Sequence, residues 1–384
     1  MKKLNRRTFM AGIATVPLAA RWSFAAGAGT LMFTGTGTGG KSNSKGIYAY
    51  RLDSANGTLS SLGLAAETAS PTFLALSPNR RYLYSVNELN EYHGAATGSV
   101  SAFAVDAQSG KLTLKNVVSS GGTGPCNIVC DQTGRVVAVA DYAGGALTTF
   151  RFLPDGSLSE PVFNYHFTGH GPNPQRQDQS HVHCVTLSPD NRYLLVNDLG
   201  LDHISVYHIN LETGMLTPND PPYYEAIPGS GPRNFTFHPN RRWAYSLNEI
   251  ASSVDALEWD GAKGTLTRVQ NISSLPAGFT GPSTAANVRT DSSGKFLYAS
   301  NRGSDTIAVF AIDQAKGTLT KIQDISCGGK TPRHFALDPS NRWLLAENQD
   351  TGNIAIFARN AQTGHLTHTD NQYMIDSPMC TVFV

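Results

Sequence analysis

The chain has 384 residues, of which 40% are hydrophobic and only 15% are charged, so an intrinsically disordered protein is excluded. Its 37 glycines and 20 prolines predict a fold with many turns, and a formal net charge of +1 is too low for a nucleic-acid-binding protein. The length would accommodate two or three average domains, although all-β folds of this size also occur as a single domain.

The first 28 residues have the features of an export signal. Arg6 and Arg7 lie in a basic start, and the apolar run over residues 11–20 is too short to span a bilayer. The pattern resembles a twin-arginine signal, with an amphipathic first helix as the alternative. We expect a signal peptide over residues 1–28 and a mature domain over residues 29–384, periplasmic or secreted, with no stable membrane association. Losing the segment lowers the net charge to about −4, which also argues against nucleic-acid binding.

A Gly-x-Leu-Thr/Ser signature recurs seven times along the rest of the chain. Its copies begin at Gly57, Gly110, Gly156, Gly214, Gly264, Gly317 and Gly364. Successive copies are 46 to 58 residues apart, which is the length of one four-stranded blade of a β-propeller. Seven copies predict an all-β fold, a seven-bladed β-propeller that forms a single domain.

Each repeat also contains the pattern of a hairpin. An apolar stretch leads into a turn such as Ser-Pro-Asn and then into an aromatic-rich run, as in "FLALSPNRRYLYSVNE". These segments predict an inner strand A and a second strand B. Alternating segments such as "DTIAVFAID" predict strand C, and the Gly-x-Leu signature should open the outer strand D.

The order of these elements predicts how the ring closes. The first Gly-x-Leu copy precedes the first strand A, whereas the last strand A, over residues 378–384, has no strand after it. The C-terminal strand should therefore be the inner strand of a blade whose other strands come from the start of the domain, beginning with residues 30–36. This closure ties the chain ends together and removes an exposed sheet edge.

Strands A and B are antiparallel, so the start of every A and the end of every B lie on one face near the axis. The residues at the start of strand A are Thr72, Cys126, His183, Arg233, Ala286, Arg333 and Met379. Strand B ends at Thr36, Asn87, Asp141, Asp198, Asn248, Asn301 and Asn348, and the residues that follow are Gly37, Glu88, Tyr142, Leu199, Glu249, Arg302 and Gln349. The Asx residues that end strand B predict hydrogen bonds to local turns, whereas the varied residues that follow share no structural role.

Five ionisable residues from these positions should meet over the central channel. They are His183, Arg233, Arg333, Glu249 and Arg302. Charged groups that converge on one mouth are typical of a binding or catalytic site, and solvated loop ends are the alternative. We interpret the cluster as the functional site.

A metal site is a second interpretation of the same region. His181 and His183 lie two residues apart on one face of a strand, and His166 and His170 stand in the loop before it. The Asx side chains could also hold calcium. Because no compact spacing of His, Asp and Cys completes a ligand set, we expect neither a metal ion nor another cofactor.

The cysteines lack the C-x-x-C spacing of metal sites, and their odd number prevents complete pairing within one chain. They are Cys126, Cys130, Cys184, Cys327 and Cys380. Proteins that follow the twin-arginine route fold in a reducing cytosol, so we expect free thiols.

With these motifs the chain resembles the seven-bladed propeller lactonases, a family that includes 6-phosphogluconolactonases and carboxy-cis,cis-muconate cyclases. The resemblance extends over residues 30–384 and is most specific in "RQDQSHVHCVTLSPDNRYLLVNDLGLD", "GPRNFTFHPNRRWAYSLNE" and "LYASNRGSDTIAVFAID". It implies a site made of the second histidine of His-x-His, the arginine of Gly-Pro-Arg, the glutamate of Asn-Glu and the arginine of Ser-Asn-Arg. On this sequence these residues are His183, Arg233, Glu249 and Arg302.

The resemblance implies lactone hydrolysis in carbohydrate metabolism, with a sugar-type lactone such as 6-phosphogluconolactone as the substrate. Glu249 or His183 would activate a water molecule. Arg233 and Arg302 would stabilise the oxyanion and bind anionic groups. Further candidates for substrate binding are His181, Arg333, Glu88 and Asp198.

Two other functions would use the same face of the propeller. A muconate-type lactonising cycloisomerase needs the same carboxylate-binding arginines and a proton donor. A non-catalytic propeller would use the face for binding alone, because a fold does not determine a function. We expect a small-molecule lactone or carboxylate as the partner, no nucleic acid, and a monomeric protein.

Overall fold

The computed structural model describes residues 29–384, and the predicted signal peptide lies outside the described residues. Within this range the chain forms 28 β-strands. No helix long and apolar enough to cross a membrane occurs in residues 29–384. The secondary structure is therefore all-β, as the repeat pattern predicts.

The strands form seven four-stranded antiparallel sheets, which we number as blades 1 to 7 around the ring. Blade 1 contains β1 (Thr30–Thr36), β2 (Gly46–Asp53), β3 (Thr58–Glu67) and β28 (Pro378–Phe383). Blades 2 to 4 contain β4 (Phe73–Leu76), β5 (Tyr82–Asn87), β6 (Ser99–Val105), β7 (Leu112–Ser119), β8 (Pro125–Cys130), β9 (Val136–Asp141), β10 (Ala146–Arg151), β11 (Phe163–His166), β12 (Val182–Leu187), β13 (Tyr193–Asp198), β14 (His203–Ile209) and β15 (Leu216–Glu225). Blades 5 to 7 contain β16 (Pro232–Phe237), β17 (Trp243–Asn248), β18 (Ser253–Asp260), β19 (Thr265–Ser273), β20 (Thr284–Thr290), β21 (Phe296–Arg302), β22 (Thr306–Ile312), β23 (Leu319–Ser326), β24 (Pro332–Leu337), β25 (Trp343–Asn348), β26 (Asn353–Arg359) and β27 (Leu366–Met374).

Blade 1 closes the ring in the predicted way. The C-terminal strand β28 is its inner strand and pairs antiparallel with β1, in the order β28-β1-β2-β3. The hydroxyl groups of Thr34 and Thr381 form a 3.0 Å hydrogen bond across this joint. The prediction of a seven-bladed propeller closed by the two chain ends is confirmed.

The hydrophobic core is divided among the interfaces between blades. Between blades 5 and 6, Tyr245 and Leu247 pack with Leu297 and Phe310, and none of these side chains is exposed. Comparable buried clusters lie between the other blades. The apolar residues thus hold the blades to one another and leave the axis of the ring to polar side chains.

The packing between blades explains the repeated Gly-x-Leu signature. Gly317 in blade 6 has a φ of 70°, and a Cβ atom there would lie 2.3 Å from the Trp243 ring of blade 5. The Gly317 carbonyl accepts a 3.0 Å hydrogen bond from the buried Tyr245 hydroxyl. The same bond joins two other pairs of blades, from Tyr84 to Gly156 and from Tyr298 to Gly364. The signature therefore marks a contact between neighbouring blades.

Blade 3 departs from the expected pattern in its outer strand. After the signature at Gly156, Leu158 forms only an isolated bridge with Phe152, and β11 begins later, at Phe163. Pro161 lies between these segments and has no N–H group to donate to a sheet. The expectation that the signature opens strand D is wrong for this blade.

The inner strand begins with a shift of register in six of the seven blades. Such a β-bulge leaves a residue unpaired, bends the strand and redirects the side chain. Six of the unpaired residues line the central channel: Cys126, His183, Arg233, Asn287, Arg333 and Met379. The bulges therefore place three of the predicted site residues, His183, Arg233 and Arg333, at the axis.

Candidate active site

A single carboxylate lies at the centre of the predicted cluster. Glu249 directly follows β17, and its side chain is only 5% exposed. Its Oε2 atom is 2.7 Å from Arg233 Nε and 2.9 Å from Arg302 Nη2. Its other oxygen, Oε1, contacts the guanidinium group of Arg176. Three arginines therefore surround one buried carboxylate.

Backbone hydrogen bonds hold Glu249 between two blades. Its N–H group donates a 2.7 Å bond to the Gly231 carbonyl, and its own carbonyl accepts a 3.1 Å bond from Ala285 N in blade 6. Arg302 Nη2 donates a further 3.2 Å bond to the Ala285 carbonyl. The cluster is thus built on the ends of strands, which position side chains more rigidly than loops do.

The arginines determine the charge of Glu249. Burial alone would raise the pKa of its carboxyl group, but Arg302 and Arg233 lower it by more, so that it lies well below its usual range. Burial, together with Arg302, also lowers the pKa of Arg233 to about 9, and this guanidinium still keeps its proton at neutral pH. Glu249 is therefore a permanent anion with little affinity for a proton.

His183 lies beside this carboxylate and is neutral. Its Nε2 atom is 3.8 Å from Glu249 Oε2, and its Nδ1 atom is 3.6 Å from the Cys126 thiol. Burial, and after it the charge of Arg233, lowers the pKa of His183 well below its usual value. At neutral pH the imidazole has one nitrogen without a proton, which can accept one from a bound water.

His181 has a different environment, although it is only two residues away. Its ring stacks on Tyr142 with centroids 4.4 Å apart, and its Nδ1 atom is 3.0 Å from the Tyr142 carbonyl. Its Nε2 atom is 3.3 Å from Asp178 in the preceding loop. The same Tyr142 ring meets His183 edge-on at 5.2 Å, so it stands next to both histidines. The sequence did not indicate this role of Tyr142.

Arg333 and Glu88 form a second, looser ion pair at the same mouth. Arg333 Nη2 is 3.5 Å from Glu88 Oε2, and the side chains are 21% and 30% exposed. Arg333 lines the same narrow channel as His183 and Arg233. The structure therefore brings together the five ionisable residues that the sequence aligned, and Glu88 joins them through Arg333.

Asp198 is used within its own turn. Its carboxylate accepts hydrogen bonds from the Ser180 hydroxyl and from the N–H groups of His181, Gly200 and Leu201. These bonds occupy both oxygens, and the residue is 1% exposed. They stabilise the turn after β13, which is the structural role expected for the Asx residues that end strand B. The expectation that Asp198 binds substrate has no support in this geometry.

Arg176 is a residue of the site that the sequence comparison missed. It lies in the long loop before β12, half-exposed, and contacts both Glu249 Oε1 and, at 3.5 Å, the Tyr142 hydroxyl. Burial lowers the pKa of Arg176, but Tyr142 and Glu249 raise it by more, so the cation is strongly held. In the sequence Arg176 is the first residue of the stretch that contains the His-x-His element, but it has no aligned counterpart in the other blades.

The structure shows no set of metal ligands within residues 29–384. No group of three His, Cys, Asp or Glu side chains there is arranged to hold an ion. His166 contacts the Gly144 carbonyl at 3.3 Å, and His170 contacts the carbonyl of the next residue at 3.2 Å. Both side chains are exposed, and their ring nitrogens meet backbone oxygens rather than other metal-binding side chains.

Comparison with known proteins gives a family model and several relatives that are all named as lactonases. The family model described as "Lactonase, 7-bladed beta-propeller" matches residues 32–383. A 6-phosphogluconolactonase of Bacillus subtilis is 35% identical over 299 residues, which are 78% of this chain and 83% of the relative. One from Formosa agariphila is 33% identical over 311 residues, 80% and 86% of the two chains. The periplasmic gluconolactonase PpgL of Pseudomonas aeruginosa superimposes with a TM-score of 0.86 at 32% identity, covering 92% of this chain and 99% of its own.

Proposed function

The chain belongs to the seven-bladed β-propeller lactonase family, and we propose that it hydrolyses a sugar-type lactone, with 6-phosphogluconolactone as the reference substrate. The observation that carries the proposal is the buried cluster in which three arginines and a neutral histidine surround Glu249. Opening a lactone ring requires a base for the attacking water and cationic donors for the oxyanion that develops. Both kinds of group stand at one mouth of the channel.

We assign the role of general base to His183, since Glu249 is too acidic for it. Burial keeps the pKa of the Cys126 thiol well above its usual value, so the thiol remains protonated. Its sulfur is 3.4 Å from the His183 carbonyl and 3.6 Å from Nδ1. When the thiol donates to that carbonyl, its sulfur can accept a hydrogen bond from the Nδ1–H group, and Nε2 is left without a proton and can take one from water.

Glu249 and the arginines act together in this proposal. The carboxylate holds Arg233 and Arg302 in place, and Arg302 is the more exposed of the two, at 16% against 6%. Arg302 would therefore donate to the carbonyl oxygen as water attacks the lactone carbon and His183 takes the water's proton. When the tetrahedral intermediate collapses, the ring carbon–oxygen bond breaks, and the proton passes from His183 to the leaving oxygen.

The charge at the mouth favours an anionic substrate. Two of the charged side chains are negative, Glu88 and Glu249. Four are positive: Arg176, Arg233, Arg302 and Arg333. Cations are therefore in excess. A phosphate or carboxylate group of the substrate would bind to the more accessible guanidinium groups, Arg176 and Arg333, in a bidentate manner.

The two alternative functions would use the same arginines. A lactonising cycloisomerase needs a proton donor, whereas the neutral His183 is an acceptor at neutral pH, and this favours hydrolysis. A propeller that only binds its ligand would not need a buried, neutral imidazole next to the anion site.

We also propose that the protein acts outside the cytoplasm as a monomer. Its first 28 residues resemble a twin-arginine signal, and PpgL, a relative of similar structure, is described as periplasmic. A periplasmic or secreted location is compatible with a protein whose thiols are all free, because it would be exported after folding.

Purified protein incubated with 6-phosphogluconolactone, gluconolactone and a muconate tests the proposal. We expect faster loss of at least one sugar lactone than in buffer alone, with the phosphorylated substrate preferred because of the excess positive charge. Consumption of the muconate without lactone hydrolysis would show a cycloisomerase. Saturable binding without turnover of any of the three would show a binding propeller.

A further inference from the structure

The central channel has a second opening on the face opposite the arginine cluster. The inner strands run from the arginine mouth to this face, where the ends of β4, β24 and β28 line a cavity of about 520 Å³. The residues that we assign to lactone hydrolysis do not line it. Phe73 and His334 also line the narrow channel that holds His183 and Arg233, so the cavity adjoins the arginine mouth but adds side chains that the mouth lacks.

Two side chains that line this cavity, Cys380 and His334, are connected to the fully buried carboxylate of Glu347. Cys380 Sγ is 4.0 Å from His334 Nε2, and His334 Nδ1 is 3.0 Å from Glu347 Oε2. The ring of Phe73 packs edge-on against the imidazole, with centroids 5.8 Å apart, and restrains its plane. A thiol, an imidazole and a carboxylate in this order are the groups of an activated nucleophile.

The charges around these groups favour an anion at the inner end of the cavity. Burial lowers the pKa of His334, but Cys380 and Glu347 raise it by more, to about 9, so the imidazole is a cation at neutral pH. Arg289 lines the same cavity, donates to Asn234 and to a backbone carbonyl, and has no acidic partner within residues 29–384. Two cations therefore line the cavity, and none of its lining residues is Asp or Glu.

We propose that Cys380 is the nucleophile of a second reactive site, which takes small electrophiles that carry a carboxylate. The carboxylate would pair with Arg289, and the electrophilic carbon would meet Sγ. With iodoacetate, Sγ attacks the methylene carbon, a sulfur–carbon bond forms, and the carbon–iodine bond breaks to release iodide. The thiol proton leaves to solvent, and His334 keeps its own proton, whose charge Glu347 balances. Cys380 is 1% exposed, so only reagents that fit the cavity reach it.

The other cysteines provide controls within the same molecule. All five are free thiols, as the sequence predicted. Burial raises the pKa of Cys126, Cys130, Cys184 and Cys327, which lowers their reactivity at neutral pH. Cys130 is nevertheless more exposed than Cys380. Exposure alone would favour labelling of Cys130, whereas the proposed site favours labelling of Cys380.

The wild-type protein tests this directly. The folded full chain is treated with limiting iodoacetate or iodoacetamide at neutral pH, and labelling of each cysteine is followed by peptide mass spectrometry. We expect iodoacetate to label Cys380 about ten-fold faster than Cys130. We also expect a larger Cys380 to Cys130 ratio with iodoacetate than with the uncharged amide, because Arg289 attracts the carboxylate. Faster labelling of Cys130, or equal ratios with the two reagents, would overturn the proposal.

Two variants separate the parts of the site. His334→Gln keeps a hydrogen-bond donor for Glu347 but removes the imidazole, and should slow labelling of Cys380 about ten-fold with no change at Cys130. Arg289→Gln should abolish the preference for iodoacetate. The Cys130 rate in the same digest reports folding, since an unfolded chain would label at every cysteine. An unchanged Cys380 rate in folded His334→Gln would contradict the proposal, and the wild-type comparison decides it if either variant fails to fold.

Discussion

Replacing Glu249 with glutamine would keep the shape of the side chain and remove the charge that Arg176, Arg233 and Arg302 share. The three guanidinium groups would then repel one another without a counter-charge. We expect both the free energy of unfolding and the rate of lactone hydrolysis to fall, because the same arginines join blades and bind the substrate.

The burial of each partner determines the size of the effect. Removing one partner of a buried ion pair costs about 3–5 kcal/mol, and Arg233, whose side chain is 6% exposed, fits this case. The side chains of Arg302 and Arg176 are 16% and 35% exposed, so water screens their charges and each contributes less. We therefore expect Glu249→Gln to lower the free energy of unfolding by about 3–5 kcal/mol at neutral pH.

The loss should also depend on pH. The pKa of Glu249 is lowered in the folded protein, so its contribution is complete above the unfolded value of about 4.3 and disappears as the pH falls toward the folded pKa. The difference in the free energy of unfolding between the wild type and Glu249→Gln should be constant from about pH 5 to about pH 8. It should become smaller in stronger acid.

Chemical denaturation followed by tryptophan fluorescence measures this difference. Glu258→Gln is a matched control, since Glu258 lies on β18 of the same blade and pairs with Arg242 on the surface, where the side chains are 43% and 58% exposed. Glu258→Gln should lower the free energy of unfolding by only about 0–1 kcal/mol. Equal losses for the two variants, or a Glu249→Gln effect that is undiminished at about pH 3, would refute the reasoning.

Two further predictions concern the base and the export signal. If His183 is the base, kcat/KM should stay level as the pH falls from about 8 to about 6.5 and should decrease only below about pH 6.5. The reason is that the lowered pKa of His183 keeps its imidazole without the second proton over that range. A midpoint above about 6.5 in the pH profile would contradict this assignment. Replacing both Arg6 and Arg7 with lysine should leave folded precursor in the cytoplasm, as measured by cell fractionation, and unchanged export would exclude the twin-arginine route.

The architecture was predictable because its signals are local and repeated. The spacing of the Gly-x-Leu copies is set by the length of a blade, and the strand A without a successor indicated the pairing of β28 with β1. The same periodicity placed His183, Arg233 and Arg333 in one structural position. It therefore predicted that they meet, even though they come from three different blades.

The remaining features depend on contacts that no repeat records. Arg176 lies in a loop outside the repeat, so alignment of the blades could not point to its contact with Glu249. The bulges that direct residues into the channel arise from pairing between strands. Asp198 and His181 have the residue types of a polar site, but local hydrogen bonds and the stacked Tyr142 ring give them other partners.

The most direct test of the account compares His183→Ala with His181→Ala in lactone hydrolysis. The two histidines lie two residues apart and are equally buried, but only His183 is next to Glu249. His183→Ala should lower kcat/KM by on the order of 10² or more with the fold intact, as expected when a general base is lost, and His181→Ala should cost less. Wild-type turnover by folded His183→Ala, on a lactone that the wild type hydrolyses, would contradict the assignment of this cluster as the catalytic site.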